Sequence, residues 1–225
     1  MLRLFCSCCL FLVVSIMQAA IYPDPVEGVV TCKGKGLAGV VVTDGFDVVL
    51  TDAQGRYELP RNRDARFVYL STPAGYLPQE GGGHIAFFFP LKKGRLKYDF
   101  ELKRNLKDDM KHVFMVQTDV QVSCQEHLDS YRSYVGKARA FMEKYAKERD
   151  AFVLGCGDIV GNTPNLYLDY IQVSGGLGLP VYRIIGNHDM EIGVRSFEHS
   201  YKTYEDYFGP IYYSFNRGMA HYIIL

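Results

Sequence analysis

The chain has no excess of charge of either sign: 25 Lys and Arg stand against 25 Asp and Glu in 225 residues, a formal net charge of zero. Sequence-independent binding to nucleic acid works by replacing counterions with Lys and Arg, so composition gives it no support. Cysteine is scarce. Of six, Cys6, Cys8 and Cys9 fall among the first twenty residues, and Cys32, Cys124 and Cys156 are too few and too odd in number for a disulfide framework. Long apolar runs are also missing after the N-terminus, which leaves no candidate membrane span there. What is present, 48% hydrophobic and 22% charged residues, excludes a disordered or collagen-like chain. The length allows one large domain or two small ones, either able to bury a core.

Residues 1–20 are expected to stand apart as a signal peptide. Arg3 supplies a positive start, residues 10–17 are nearly unbroken apolar, and Gln18-Ala19-Ala20 offers small residues for cleavage. The protein is then exported: periplasmic, at the cell surface or secreted. An uncleaved membrane anchor is the alternative. A lipid anchor fits less well, because Cys6, Cys8 and Cys9 precede the apolar run instead of closing it.

Residues 21–105 have the pattern of short strands. Val26-Glu27-Gly28-Val29-Val30, Gly39-Val40-Val41-Val42-Thr43, Val48-Val49-Leu50-Thr51, Tyr57-Glu58-Leu59, Phe67-Val68-Tyr69-Leu70 and residues 85–89 are β-branched or aromatic runs, separated by Gly- and Asp-rich turns. Leu96, Tyr98, Phe100 and Leu102 alternate with Lys97, Asp99, Glu101 and Lys103, which predicts one buried and one wet face. About seven such strands imply a small β-sandwich. Gly28-Val29-Val30, Gly39-Val40-Val41-Val42 and Thr51-Asp52-Ala53-Gln54-Gly55-Arg56-Tyr57-Glu58-Leu59 resemble the carboxypeptidase-regulatory-like (transthyretin-like) sandwich. That resemblance implies an accessory module and no chemistry.

From residue 106 to 225 the period changes. His112-Val113-Phe114-Met115-Val116, Ala151-Phe152-Val153-Leu154 and Val181-Tyr182-Arg183-Ile184-Ile185 read as buried strands. Residues 131–149 read as an amphipathic helix with Tyr131, Tyr134, Val135, Ala138, Phe141, Met142 and Tyr145 on its apolar face, and residues 166–173 as a short one. Strand, helix, strand, helix, strand predicts an α/β arrangement with parallel pairing, and in such a sheet ligands lie beyond the carboxyl ends of the strands. Those ends carry Gln117-Thr118-Asp119-Val120-Gln121, Gly155-Cys156-Gly157-Asp158-Ile159-Val160-Gly161-Asn162 and Gly186-Asn187-His188-Asp189. One carboxylate at a strand end is ordinarily a helix cap. Three in succession, two flanked by Gly, point to a site. A dinucleotide is excluded at Gly155-x-Gly157 because the next Gly is Gly161, and because Asp158 about 4 Å from a pyrophosphate would cost on the order of 4 kcal/mol at an effective dielectric near 20. The favourable helix N-terminus returns only about 1 kcal/mol. A cation between Asp158 and a phosphate removes the conflict.

Asp119-x-Gln121, Gly157-Asp158-x-x-Gly161-Asn162 and Gly186-Asn187-His188-Asp189 resemble the motifs of the calcineurin-like metallophosphoesterases. The resemblance implies the αββα sandwich of that family, here incomplete, and hydrolysis of phosphate mono- or diesters by a two-metal site. It implies that Asp119 holds the first of two divalent ions, that Asp158 bridges both and that Asn187 holds the second. His188 would face the leaving group and Asp189 would orient it. Two departures stand out. Gln121 occupies the place of a usual His, which tilts the metals from zinc or iron toward manganese or magnesium, with manganese favoured. The family's downstream lone His and Gly-His-x-His are absent, since only His199 and His221 follow His188. The chain stops within the apolar run Tyr222-Ile223-Ile224-Leu225, so a truncated version of a longer protein, with weak or single-metal binding and little turnover, is expected.

Other residues have blander roles. His84 reads as a loop residue after three glycines, His112 and His127 flank the first strand without matching partners, Lys92-Lys93-Gly94-Arg95 reads as a solvated turn, and His221 as a strand residue. Cys156 beside Asp158 lacks the positive surroundings of a nucleophile. Tyr201, Tyr204, Tyr207, Tyr212 and Tyr213 read as packing on the sheet more than as a stacking surface. The competing functional class is a non-catalytic surface module in which the sandwich binds a glycan or a cell-surface partner and the second half is scaffold.

Overall fold

The computed structural model describes residues 24–81 and 84–225; residues 1–20, read above as a signal peptide, lie outside them. Among the described residues no helix is long and apolar enough to cross a membrane.

Ten strands come first: β1 (Val26–Cys32), β2 (Lys35–Gly36), β3 (Val41–Thr43), β4 (Val48–Leu50), β5 (Arg56–Leu59), β6 (Phe67–Ser71), β7 (Tyr76–Gly81), β8 (His84–Ala86), β9 (Phe88–Pro90) and β10 (Phe100–Arg104). They form two sheets. One runs β2-β1-β10-β7-β8, with β5 also on β1, and the other runs β4-β3-β6-β9. Both contribute to one hydrophobic cluster, Val26, Val30, Tyr57, Leu59, Tyr98, Phe100 and Leu102 from the first side and Val40, Val42, Val68 and Leu70 from the second. Each such side chain, fully buried, contributes roughly 1.5–3 kcal/mol. The β1–β2 hairpin turns at Lys33-Gly34, whose φ values of 51° and 72° fit the tight two-residue turn that matches strand twist. A buried carboxylate shapes another turn: Asp44 accepts the amides of Phe46, Asp47 and Asn62 at 2.8–3.0 Å.

Two expectations need correction here. Leu96 is 40% exposed, and β10 begins only at Phe100; residues 96–98 touch β1 through Glu27 N–H to Leu96 O and Tyr98 N–H to Glu27 O. β7 was not anticipated, because Pro78 lies inside it.

Next come β11 (Asp108–Thr118), α1 (Gln125–Ala146), β12 (Arg149–Cys156), α2 (Tyr167–Gly175) and β13 (Val181–Ile184). β11, β12 and β13 pair in parallel in that order, with Thr118 opposite Cys156 and Cys156 opposite Ile184, so their carboxyl ends are level. α1 starts six residues before and stops three before the span read from the sequence. It buries Leu128, Tyr131, Val135, Ala138 and Met142, whereas Tyr134, Phe141 and Tyr145 face outward. α3 (Phe197–Ser200), α4 (Lys202–Phe208) and the hairpin β14 (Tyr213–Arg217) with β15 (Ala220–Ile224) complete the chain.

The two parts share a further cluster. Phe67, Tyr69, Ile85 and Phe87 pack with Phe152, Tyr182, Tyr213, Phe215 and Ile224. Beside it Arg217, fully buried, lies 2.8 Å from Asp150, donates to Tyr182 Oη at 2.6 Å, and sits among the Phe152, Tyr182 and Phe215 rings. Across the seam Ser71 and Ser214 hydroxyls meet at 2.8 Å, and Asn216 N–H donates to Thr72 O at 2.8 Å.

Candidate functional site

Three loops leave the level ends of β11, β12 and β13 and are stitched together by main chain. Asp119 N–H donates to Gly157 O, Gln121 N–H to Asp158 O, Val122 N–H to Ile159 O, Gly161 N–H to Val122 O and Asn162 N–H to His188 O, at 2.8–3.3 Å. Such close approach needs small residues. A Cβ on Gly186 would stand 2.1 Å from Asp158 N and 2.2 Å from its Oδ1.

Within this frame the backbone is strained in one place. Asp119, Gln121, Asp158 and Asn162 all have positive φ, at 53°, 45°, 49° and 60°. For residues with a Cβ the left-handed region costs on the order of 1–2 kcal/mol each, and such strain gathers where a fold presents functional groups. The side chains converge as a result. The Gln121 amide nitrogen donates to Asp119 Oδ1 at 3.4 Å and to Asp158 Oδ2 at 3.3 Å. Asp158, 9% exposed, accepts His188 N–H on its other oxygen at 2.9 Å.

Asn187 lies on the same short turn (Asn187–Asp189), exposed, and its amide makes no hydrogen bond to the other three. The His188 ring likewise has no hydrogen-bond partner among the described residues. Asp189 does not orient that ring as expected. Its carboxylate, 3% exposed, instead accepts Ile159 N–H at 3.0 and 3.1 Å, Val160 N–H at 3.1 Å and Gly186 N–H at 2.9 Å. Burial pushes its pKa up from the usual carboxylate value, the three amides pull it back in part, and the neighbouring Asp158 charge adds to the rise.

Tyr167, fully buried at the start of α2, was missed in the sequence; its hydroxyl donates to Asp189 O at 3.1 Å and reaches Asp189 Oδ1 at 3.4 Å. Nothing in its type or spacing marks it. His127, set aside above, contacts Ser123 N at 3.3 Å and Gln121 O at 3.4 Å through Nδ1 and so borders the first loop. Burial alone raises the Cys156 thiol pKa, the wrong direction for a nucleophile at neutral pH.

The donors fit a hard divalent cation in kind. Asp119 and Asp158 are carboxylates pointing at one shared amide, and turning that amide over presents its oxygen to the same space. They are two carboxylates only. Among the described residues no group of three or more His, Cys, Asp or Glu converges to hold a metal. A cleft of about 640 Å³ opens beside Gln121, lined by Val116, Gln117, Val120, His127, Tyr131 and Tyr134 among others.

Residues 24–105 match the family described as the N terminal of calcineurin-like phosphoesterase. No curated protein matches the chain. The match spans 82 of the 225 residues, all in the strand-rich first part, and points toward the calcineurin-like phosphoesterases without reaching the strand-end motifs.

Proposed function

We propose that this chain is a metal-dependent hydrolase of phosphate mono- or diesters, acting at the carboxyl ends of β11, β12 and β13. The observation that carries the proposal is the meeting of Asp119 and Asp158 on the one Gln121 amide, in a loop frame whose close approach Gly186 permits. The matched N-terminal region is consistent with it. Asp119, Gln121, Asp158 and Asn187 would hold divalent ions, manganese or magnesium in preference to zinc or iron given all-oxygen donors. When bound, a pair of such ions clamps a phosphate and makes water nucleophilic at neutral pH.

The chain's own residues supply the rest. Asp158 is fixed through Oδ1 by His188 N–H and turns Oδ2 toward Gln121, which suits it to be the shared ligand. The His188 ring, without a hydrogen-bond partner among the described residues, is available to give a hydrogen bond or proton to the departing oxygen. The cleft beside Gln121 has room for an esterified organic group. Residues 1–20 favour action outside the cytoplasm.

The test is phosphate or alcohol release from aryl phosphate mono- and diesters by the purified chain, with and without added Mn²⁺. Asp158→Ala should abolish the metal-dependent part. Metal-dependent turnover that survives Asp158→Ala refutes the proposal.

A further inference from the structure

Asp189 was expected to hold the His188 ring and does not, yet it is among the best-bonded side chains near the site. Its carboxylate binds three main-chain amides that belong to two different loops. Ile159 and Val160 immediately follow Asp158, and Gly186 immediately precedes Asn187. The two residues proposed to share a cation therefore each lie next to an amide pinned by the same side chain. Asp158 is also one of the site residues whose backbone is left-handed, and it is preceded by Gly157 with φ of +77°. A left-handed pair persists only when its surroundings over-determine it, and on its C-terminal side the surroundings are Asp189.

The bracket is itself supported. Asp189 is fully enclosed, and Tyr167 Oη holds it from α2 through both its carbonyl and its carboxylate. Tyr167 packs edge-on against Tyr204 and Phe208 of α4. The order of contact runs from the packed helices to Tyr167, to Asp189, to the two loops, and then to Asp158 and His188 N–H.

We infer that Asp189 is a positioning residue that presets the cation cradle, fixing Asp158 and Asn187 in place before any ion arrives. It touches no substrate and is not a ligand. This rests on the proposed function, since it assumes that a cation binds at Asp158. Residues one shell out from metal ligands typically alter affinity by about 10–100-fold when changed, and Asp189 reaches two loops at once.

The experiment uses the full chain, with Mn²⁺ alone as the probe. Binding is followed by the electron paramagnetic resonance signal of free Mn²⁺, and loop order by amide hydrogen exchange without metal. Asp189→Asn keeps the size and one acceptor but sets an amide N–H donor against Gly186 N–H. The expected result is at least a tenfold loss of Mn²⁺ affinity, with faster exchange at Ile159, Val160, Gly186 and His188 and unchanged exchange in β1. The His188 amide is the telling one, because it bonds Asp158 and not Asp189. Unchanged Mn²⁺ affinity, within about twofold, overturns the inference and leaves Asp189 a structural brace.

Should Asp189→Asn fail to fold, Tyr167→Phe decides: a drop of threefold or more supports the bracket, and no drop overturns it. If the wild-type chain binds no Mn²⁺, the proposed function itself fails and the inference falls with it. Binding by wild type and variant alike removes the inference alone.

Discussion

Arg217→Met should be among the most damaging single substitutions at the seam between the two parts of the molecule. Arg217 is fully enclosed, its Nε 2.8 Å from Asp150, whose side chain is only 5% exposed. It also donates to Tyr182 Oη at 2.6 Å and to Asn216 O at 3.0 Å. Removing it leaves a carboxylate charge buried without its partner. Breaking one side of a buried pair costs about 3–5 kcal/mol, whereas replacing both members by apolar groups of similar volume is often neutral or better. Against a total stability of about 5–15 kcal/mol, that is a large share. With a urea slope of about 2–3 kcal/mol per M for a chain of this size, the midpoint should fall by about 1–2.5 M. The chain has no Trp, so unfolding is best followed by far-ultraviolet circular dichroism. The double variant Asp150→Leu/Arg217→Met should recover most of the loss. A cost below about 1 kcal/mol for Arg217→Met, or a double variant no better than the single, would show that the buried charge pair is not what this region depends on.

Two further perturbations separate backbone from side-chain constraints and burial from charge. Gly186→Ala places a methyl about 2 Å from Asp158 main chain and should cost more than about 2 kcal/mol, while Gly161→Ala overlaps the movable Ser123 hydroxyl and otherwise makes ordinary contacts, and should cost less than about 1 kcal/mol; thermal melts of the two, side by side, check this. Tyr69, pushed up to about 12 by burial and then by the Asp44 charge, keeps its proton in the folded chain after the unfolded chain has lost its own. The stability this contributes is complete below pH 10 and disappears between about pH 10 and 12, with a slope of up to about 1.4 kcal/mol per pH unit. Tyr69→Phe should therefore flatten the alkaline fall in urea midpoint, and an unchanged slope counts against the assignment.

Much of the strand and helix pattern could be read directly because it is written in side-chain period. Val26, Val30, Leu59, Leu70, Phe100 and Leu102 all lie in the buried cluster that alternation predicts. Where the pattern failed, something other than period governed. Pro78 hid β7, since a residue without an N–H argues against a strand. α1 begins at Gln125 without a side-chain cap, so no capping residue announces it, and Tyr134, Phe141 and Tyr145 looked like core positions although they face outward. At the strand ends, Asp119, Gln121 and Asp158 could be named from motif and order, and the structure brings their side chains together. The task of Asp189 could not be read, because its partners are backbone amides, which every residue type supplies. The positive φ at Gln121 was equally invisible, as glutamine gives no hint of a left-handed backbone.

The aromatic seam also bears on how this molecule can be cut. The family match stops at residue 105, which invites preparing the first part by itself. Phe67, Tyr69, Ile85 and Phe87 would then lose Phe152, Tyr182, Tyr213 and Phe215 and face water as one contiguous oily patch. A fragment ending there should be sticky where the intact chain is not, and glycan or partner binding measured on it would report that new surface as readily as any native one.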